Sequence, residues 1–567
     1  VKNIIESNKR FMTALVCGSA IVLSLASSVT QASQYWTPEL MAKHKGGTLV
    51  LVARSAAGTV DPQINYTLQF WQIFQFTYDG LVAFRKAPGK AGAELVPDLA
   101  VALPKAEDGG KTYVFKLRKG IKFSNGQPVT VNDVVASFQR IFKVSSPTSG
   151  TFYNNIVGAD KCLKTPATCT LAGGVVADAA AGTVTFHLTQ PDSEFFDKLA
   201  LPHAAILPAS TPDKDVGTRP IPGTGPYMIA SYNPNKEMKF ARNPYFKQWS
   251  VDAQPAGYPD AIVYRFGLTD EAEVTAVENG QADWMFDQPP TDRLGEIGTR
   301  YMKQVYVNPL EAMWYAPMNT RLAPFNNLKA RQAVNYAIDR QAVVNLFGGP
   351  RLGVPSCQIL PPGFPGYAPY CPYTKNPGAK WSAPDMAKAK QLVKESGTAG
   401  EKVTLIVEDT AVARAIGTYL QGVLNELGYK ASVKAISPNI EFTYIQNTNN
   451  KVQISLTQWY QDYPAASDFL NVLFSCDAFH PGSDSSINIS GFCNPKIDAQ
   501  MQRAMKLAIT DPAAANKLWT KVDRLVTDQA PVAVLFNPKH VDFVSSRVGN
   551  FMFNSQFYGV MSQVWVK

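Results

Sequence analysis

KVTLIVEDTAVARAIGTYLQGVLNELGYKASVKAI, Lys402 to Ile436, is the stretch on which the fold turns. Lys402 to Val407 reads as a strand. Val412, Ile416, Tyr419, Leu420, Val423 and Leu427 then recur at helical spacing, and Gly428 ends that helix. Lys430 to Ile436 is the return strand. Strand, helix, strand predicts a largely parallel sheet.

The next strand comes from KVQISLTQWYQDYPAASDFLNVLF, Lys451 to Phe474, where Val452, Ile454 and Leu456 alternate with polar residues. Trp459 to Pro464 reads as an aromatic loop, and Ser467 and Asp468 suit the cap of a short helix. In open α/β sheets a loop in that position borders the ligand crevice. Asp462 sits there among Trp459, Tyr460 and Tyr463. A carboxylate between flat rings suits a ligand cation. The plainer alternative is an ordinary loop whose Asp462 pairs with an internal Lys or Arg.

Outward from this region the chain alternates similar signals. Asn327 to Phe347 predicts one helix, stopped by Gly348-Gly349-Pro350, and Ser382 to Ser396 another. Ile497 to Ala508 and Lys517 to Asp528 also read as helices, and Val532 to Phe536 as a strand returning to the first lobe. Towards the amino terminus, Gly47 to Ala53 reads as a strand and Phe70 to Leu81 as mostly helical. Lys111 to Phe123 is hairpin-like. Thr130-Val131-Asn132-Asp133 has the form of a capping box ahead of a helix with Val134, Phe138 and Phe142 on one face. Thr183 to Leu188 is a second alternating strand. Gly223-Thr224-Gly225-Pro226 lacks the third glycine of a dinucleotide loop, and Pro226 removes an amide that phosphate needs.

The chain has 567 residues, more than one core usually holds, so two or more lobes are expected. Charged residues are 17%, below the roughly 25% of average soluble proteins. The net charge of +9 comes from scattered Lys and Arg, which argues against a nucleic-acid partner.

Lys2, Lys9 and Arg10 precede a short apolar run, Phe11 to Leu25, and Thr30-Gln31-Ala32 fits a processing site. Residues 1–32 are therefore expected to be a signal peptide cleaved near Ala32. Val16 is too bulky before Cys17 for a lipid-attachment site. The six other cysteines fall as local pairs, Cys162 with Cys169, Cys357 with Cys371 and Cys476 with Cys493. An oxidising compartment would close them, although spacing alone leaves other pairings open.

A secreted hydrolase is the rival class. No G-x-S-x-G elbow, H-E-x-x-H pair or phosphate-binding G-x-x-x-x-G-K-[ST] loop occurs, and the five histidines are isolated in sequence. No metal site or cofactor is expected.

Several blocks together resemble one family. GKTYVFKLRKGIKFSNGQPVTVNDVVASFQR (Gly110 to Arg140) is similar to the signature block of the family 5 extracytoplasmic solute-binding proteins, peptide-binding components of ABC importers. GTGPYMIASYNPNKEMKFARNPYF (Gly223 to Phe246) and NTRLAPFNNLKARQAVNYAIDRQAVV (Asn319 to Val344) resemble two further blocks. Trp459, Asp462 and the LFSC that follows resemble the W-x-x-D…F block of dipeptide-binding members.

The resemblance implies an α/β, two-lobed periplasmic binding protein of the Venus-flytrap, type II-like kind, with an extra subdomain in the first lobe. Its first lobe would run over 33–307 and be completed by 533–567; its second would be 308–532. Lobe closure would bury a peptide or another small solute (a nickel chelate, oligosaccharide or opine) and present a monomer to ABC permease subunits. Asp462 would accept the ligand's α-ammonium and Trp459 would wall the site. Tyr460, Tyr463 and Tyr66 are further candidate contacts. Dipeptide-specific members carry an Arg just after the strand that here ends in Val407-Glu408-Asp409, and the first Arg after that strand in this chain is Arg414. Glu408 and Arg414 are therefore both candidates. An acidic pair there fits a longer peptide or a cationic or neutral solute better than a free dipeptide carboxylate; both acids equally suit a solvated loop.

Overall fold

A computed structural model describes residues 35–56 and 58–567. The expected signal peptide, with Cys17 and the cleavage point near Ala32, lies outside the described residues. Thr48–Ala53 is an inner strand of a five-stranded sheet in the order Trp284–Met285, Thr48–Ala53, Ala261–Phe266, Glu237–Arg242 and Tyr227–Asn233. It runs parallel to both neighbours. A strand covered on both faces reads as a continuous apolar run, and Leu49 to Ala53 is wholly buried. The strand's carboxyl end delivers Arg54 to the centre of the molecule.

The Lys402–Ile436 unit is a parallel pair joined by helix Ala411–Glu426, and Ile454–Ser455 adds the third strand. Thr410 starts the helix, its side chain accepting from Ala413 N at 3.1 Å. Leu405, Ile416, Leu424 and Phe536 belong to one apolar cluster, which is the core of this lobe.

Val532–Phe543 joins the two systems. It is antiparallel to Ala312–Pro317 in its first half and to Val305–Pro309 in its second. Just beyond it, Val544 bridges to Trp284 of the first sheet. The architecture is α/β and two-lobed.

The elements differ from the sequence expectations in four places. Lys111 to Phe123 is no local hairpin. Thr112–Lys116 pairs with Thr183–His187, which also pairs with Val175–Asp178. Its apolar face meets Val184 and Phe186, and helix Val131–Lys143 covers that small sheet, started by a capping box between Thr130 and Asp133. The helix expected to reach Leu81 stops at Phe74. Beyond it Asp79 accepts from Thr224 Oγ1 and Gln254 Nε2, each at 2.6 Å. At Gly80 an added Cβ would lie 2.9 Å from the Leu199 carbonyl, so the chain must turn there on a glycine.

Asn327 to Phe347 divides into Leu328–Ala337 and Arg340–Phe347. Asp339 caps the second helix, and the buried Arg340 guanidinium donates to Asn335 O and Asn335 Oδ1 at the break. Thr457–Tyr460, read as partly loop, is a strand antiparallel to Ala312–Tyr315. The chain leaves one sheet after Ser455 and joins another at Thr457. All six described cysteines are joined as Cys162–Cys169, Cys357–Cys371 and Cys476–Cys493.

Candidate binding site

The change of sheets at Leu456 carries Gln461 and Asp462 to the middle of the molecule. The backbone there is held from three sides. Gln461 N donates to Glu311 O at 2.9 Å, Asp462 N donates to Asp468 Oδ2 at 2.9 Å, and Gln556 Nε2 donates to Asp462 O. Asp468 belongs to the first turn of helix Ala466–Phe474, so this helix start grips the loop before it.

Asp462 lines a cavity of about 340 Å³. Both sheet systems supply its walls: Arg54 and Tyr66 follow strand Thr48–Ala53 of the first sheet, while Glu408 ends the parallel unit's central strand. Tyr66, Glu408, Trp459, Tyr460 and Asp462 all line this cavity. Two other sequence candidates do not. Tyr463 points the opposite way, fully buried with its ring 5.5 Å from Phe152 and its hydroxyl 3.3 Å from Ser467 Oγ. Arg414 is exposed on the helix and its guanidinium pairs with Asp409. Among the described residues no group of His, Cys, Asp and Glu could hold a metal ion.

Asp462 is only 6% exposed. Burial pushes its carboxyl up to about 7, opposed by the hydrogen bond from Tyr66 Oη. No cation pairs with it among the described residues. Burial and the neighbouring Asp462 push the Asp468 carboxyl well above the carboxylate range. The Asp462 carboxyl thus faces the cavity with no cation beside it among the described residues. Around it, Trp459 Nε1, Gln461 Oε1 and Tyr558 Oη are buried with no hydrogen-bond partner among the described residues. Such groups are costly to bury unless a partner reaches them.

Away from Asp462 the wall is also acidic. Arg54 donates to Asp270 Oδ1 at 2.9 Å and to Asp287 Oδ1 at 3.0 Å, and its own charge is thereby neutralised. Glu408 and Glu441 complete that side. Burial raises both, and Glu408 adds to the shift of Glu441. Lys539 is a wall cation with no ion-pair partner among the described residues.

Sequence reasoning missed Arg54, Asp287, Glu441 and Lys539, and the supporting role of Asp468. Arg54 and Asp287 were findable, because each follows a strand of the first sheet, where ligand loops lie. Glu441 and Lys539 carry no local signal.

The sequence model for bacterial extracellular solute-binding proteins, family 5 Middle, matches residues 94–481. The chain belongs to this family. A glutathione-binding protein, GsiB, from Salmonella choleraesuis (strain SC-B67) is 27% identical over 548 residues, covering 93% of this chain and 94% of that protein. GsiB of Escherichia coli O1:K1 / APEC is 26% identical over 459 residues, covering 78% of this chain and 81% of that protein. Solved structures of the same fold include the ABC transporter-associated periplasmic binding protein DppA from Helicobacter pylori with peptide STSA. That structure has a TM-score of 0.77 at 20% identity, covering 93% of this chain and 99% of that one. The Escherichia coli murein tripeptide binding protein MppA has a TM-score of 0.76 at 20% identity, covering 92% and 98%. Family 5 members are solute-binding proteins, and the cavity between the two sheet systems is the candidate solute site of this one.

Proposed function

We propose that this chain is the periplasmic solute-binding component of an ABC importer and captures peptides with a free amino terminus between its lobes. The observation that carries this reading is Asp462: a buried, uncompensated carboxylate on the wall of a cavity shared by both lobes. A peptide ammonium supplies the missing charge, and burial makes that pair strong. Trp459 Nε1 is a donor for a peptide carbonyl. Lys539 is the partner for a ligand carboxylate, since the place of the expected arginine is taken by Glu408.

In this reading residues 1–32 are a cleaved signal peptide, 33–307 with 533–567 form the first lobe, and 308–532 form the second. The protein acts as a monomer, carries out no catalytic step and hands its ligand to permease subunits in the inner membrane. Binding selects the closed arrangement, which couples capture to transport. The GsiB relatives are named for glutathione, whose two carboxylates outnumber its one ammonium. The carboxyl groups of Asp270, Asp287, Glu408, Glu441 and Asp462 favour a neutral or cationic peptide over that anion.

Native mass spectrometry of protein purified without refolding, followed by denaturation and identification of the released molecules, tests the reading. A ladder of short peptides is expected. A single non-peptide mass would retain the transport role and overturn the ligand.

A further inference from the structure

The wall beyond Trp459 is built for charge as well. Glu408 ends strand Lys402–Glu408, and Glu441 lies in the helix Pro438–Gln446. Both line the cavity. Glu441 is 1% exposed, and its Oε1 has no hydrogen-bond partner among the described residues. Glu408 contacts Gln458 and feels Arg54 across the cleft, but that guanidinium is already bonded to Asp270 and Asp287. Two carboxyl groups thus face each other with no cation of their own. Burying them so is unfavourable for the empty protein and becomes favourable once a positive group enters.

We propose that Glu408 and Glu441 form a second cation subsite, which receives the ammonium or guanidinium of a Lys or Arg side chain in the bound peptide. This rests on the peptide reading above. Geometry sets the reach. Gln458, which touches Glu408, precedes Asp462 by four residues, and an extended chain rises about 3.3 Å per residue, so the backbone at Gln458 lies within roughly 13 Å of that at Asp462. A peptide with its amino terminus on Asp462 covers that span with a basic side chain at its second or third residue. Burial, together with the neighbouring Glu408, raises Glu441 above the ordinary carboxylate range, a shift that a cation entering beside it opposes.

The test compares tripeptides that differ only in one side-chain charge, lysine against norleucine at position 2 or 3 of an otherwise alanine sequence. Affinities are measured by titration calorimetry on the mature protein and on Glu441→Gln, with a Glu408→Gln variant as a second probe and thermal melts as a folding control. The lysyl peptide is expected to bind at least about tenfold tighter than the norleucyl one at one of the two positions. Glu441→Gln and Glu408→Gln are each expected to shrink that ratio several-fold, through a loss of lysyl affinity larger than any change in norleucyl affinity. Equal affinities in the wild-type protein, or an unchanged ratio in both variants, would overturn the subsite while leaving the peptide reading in place. Failure of every tripeptide to bind would overturn the peptide reading, and the subsite with it.

Discussion

Tyr66 Oη donates its hydrogen to the Asp462 carboxylate, joining two residues that stand 396 positions apart in the chain. Tyr66 follows strand Thr48–Ala53 of the first sheet, and Asp462 follows strand Thr457–Tyr460, which the chain enters on leaving the parallel unit. The bond ties the two sheet systems together at the cavity wall. It also aims the carboxylate: with one oxygen held by Tyr66, the remaining lone pairs are presented to the cavity.

Binding is expected to depend on pH near neutrality. Asp462 must be ionised to hold an ammonium, and burial places its carboxyl at about 7 in the unliganded protein. Affinity is therefore present above that pH and falls as the pH drops through it. A peptide amino group loses its proton above about 8, so affinity is expected to peak between about 7 and 8. Below the peak, calorimetry in buffers of different ionisation enthalpy should detect proton release on binding. Tyr66→Phe removes a bond that lowers the carboxyl, so the acid limb should move to higher pH and affinity should fall by about 1–2 kcal/mol.

Asp462→Asn is expected to separate binding from stability. It should weaken an ammonium-bearing ligand by roughly 2–4 kcal/mol. In the empty protein the same change removes a charge that burial disfavours. A carboxyl raised by folding stabilises the fold at low pH, and that contribution is lost as pH rises through the folded value. At pH 8 the variant should therefore melt above the wild type, by roughly 1–3 kcal/mol. Denaturant titrations of the unliganded proteins at pH 5 and pH 8 check this: the gap should open at the higher pH.

Arg140→Met is expected to destabilise strongly. The Arg140 guanidinium donates to Asp61 Oδ1 at 3.0 Å and to Asp61 Oδ2 at 2.5 Å, and Asp61 is fully buried. Removing the cation leaves a buried charge unpaired, at a cost of about 3–5 kcal/mol. Asp61 O accepts from Asn65 N at 2.9 Å, so the same loop positions Tyr66. Chemical denaturation should show the loss, and Asp61→Asn added to Arg140→Met should recover part of it.

The three disulfides give a chemical prediction. Unreduced protein beginning at residue 33 should contain no thiol that a labelling reagent modifies after denaturation. Replacing Cys476 and Cys493 with serine opens a loop of 17 residues and should lower stability by about 2–4 kcal/mol.

Much of the fold was legible because its signals are local. Periodicity from Lys402 to Ile436 marked a strand, a helix and a parallel return strand, and local spacing paired the cysteines. The split at Asp339 was missed because Arg340 makes its bonds to carbonyls brought in by other segments, Ser356 O and Val534 O among them. The site was only half legible. Asp462 stood out as a lone acid among aromatics. The buried Asp468 behind it, the orphaned Glu441 and the unpaired Lys539 acquire their character from burial and from neighbours far away in sequence, which no local pattern records. Tyr463 and Arg414 were chosen by nearness in sequence, but Tyr463 packs against Phe152 and Ser467, and Arg414 lies on the exposed first turn of a helix, away from the cavity.

The most direct measurement compares a tripeptide with its amino-acetylated form by titration calorimetry at pH 7.5. Acetylation removes the ammonium and leaves the rest of the ligand intact. If Asp462 receives that ammonium, the acetylated peptide binds at least about thirtyfold more weakly, and Asp462→Asn removes most of the difference. Equal affinities for the two peptides would contradict the account.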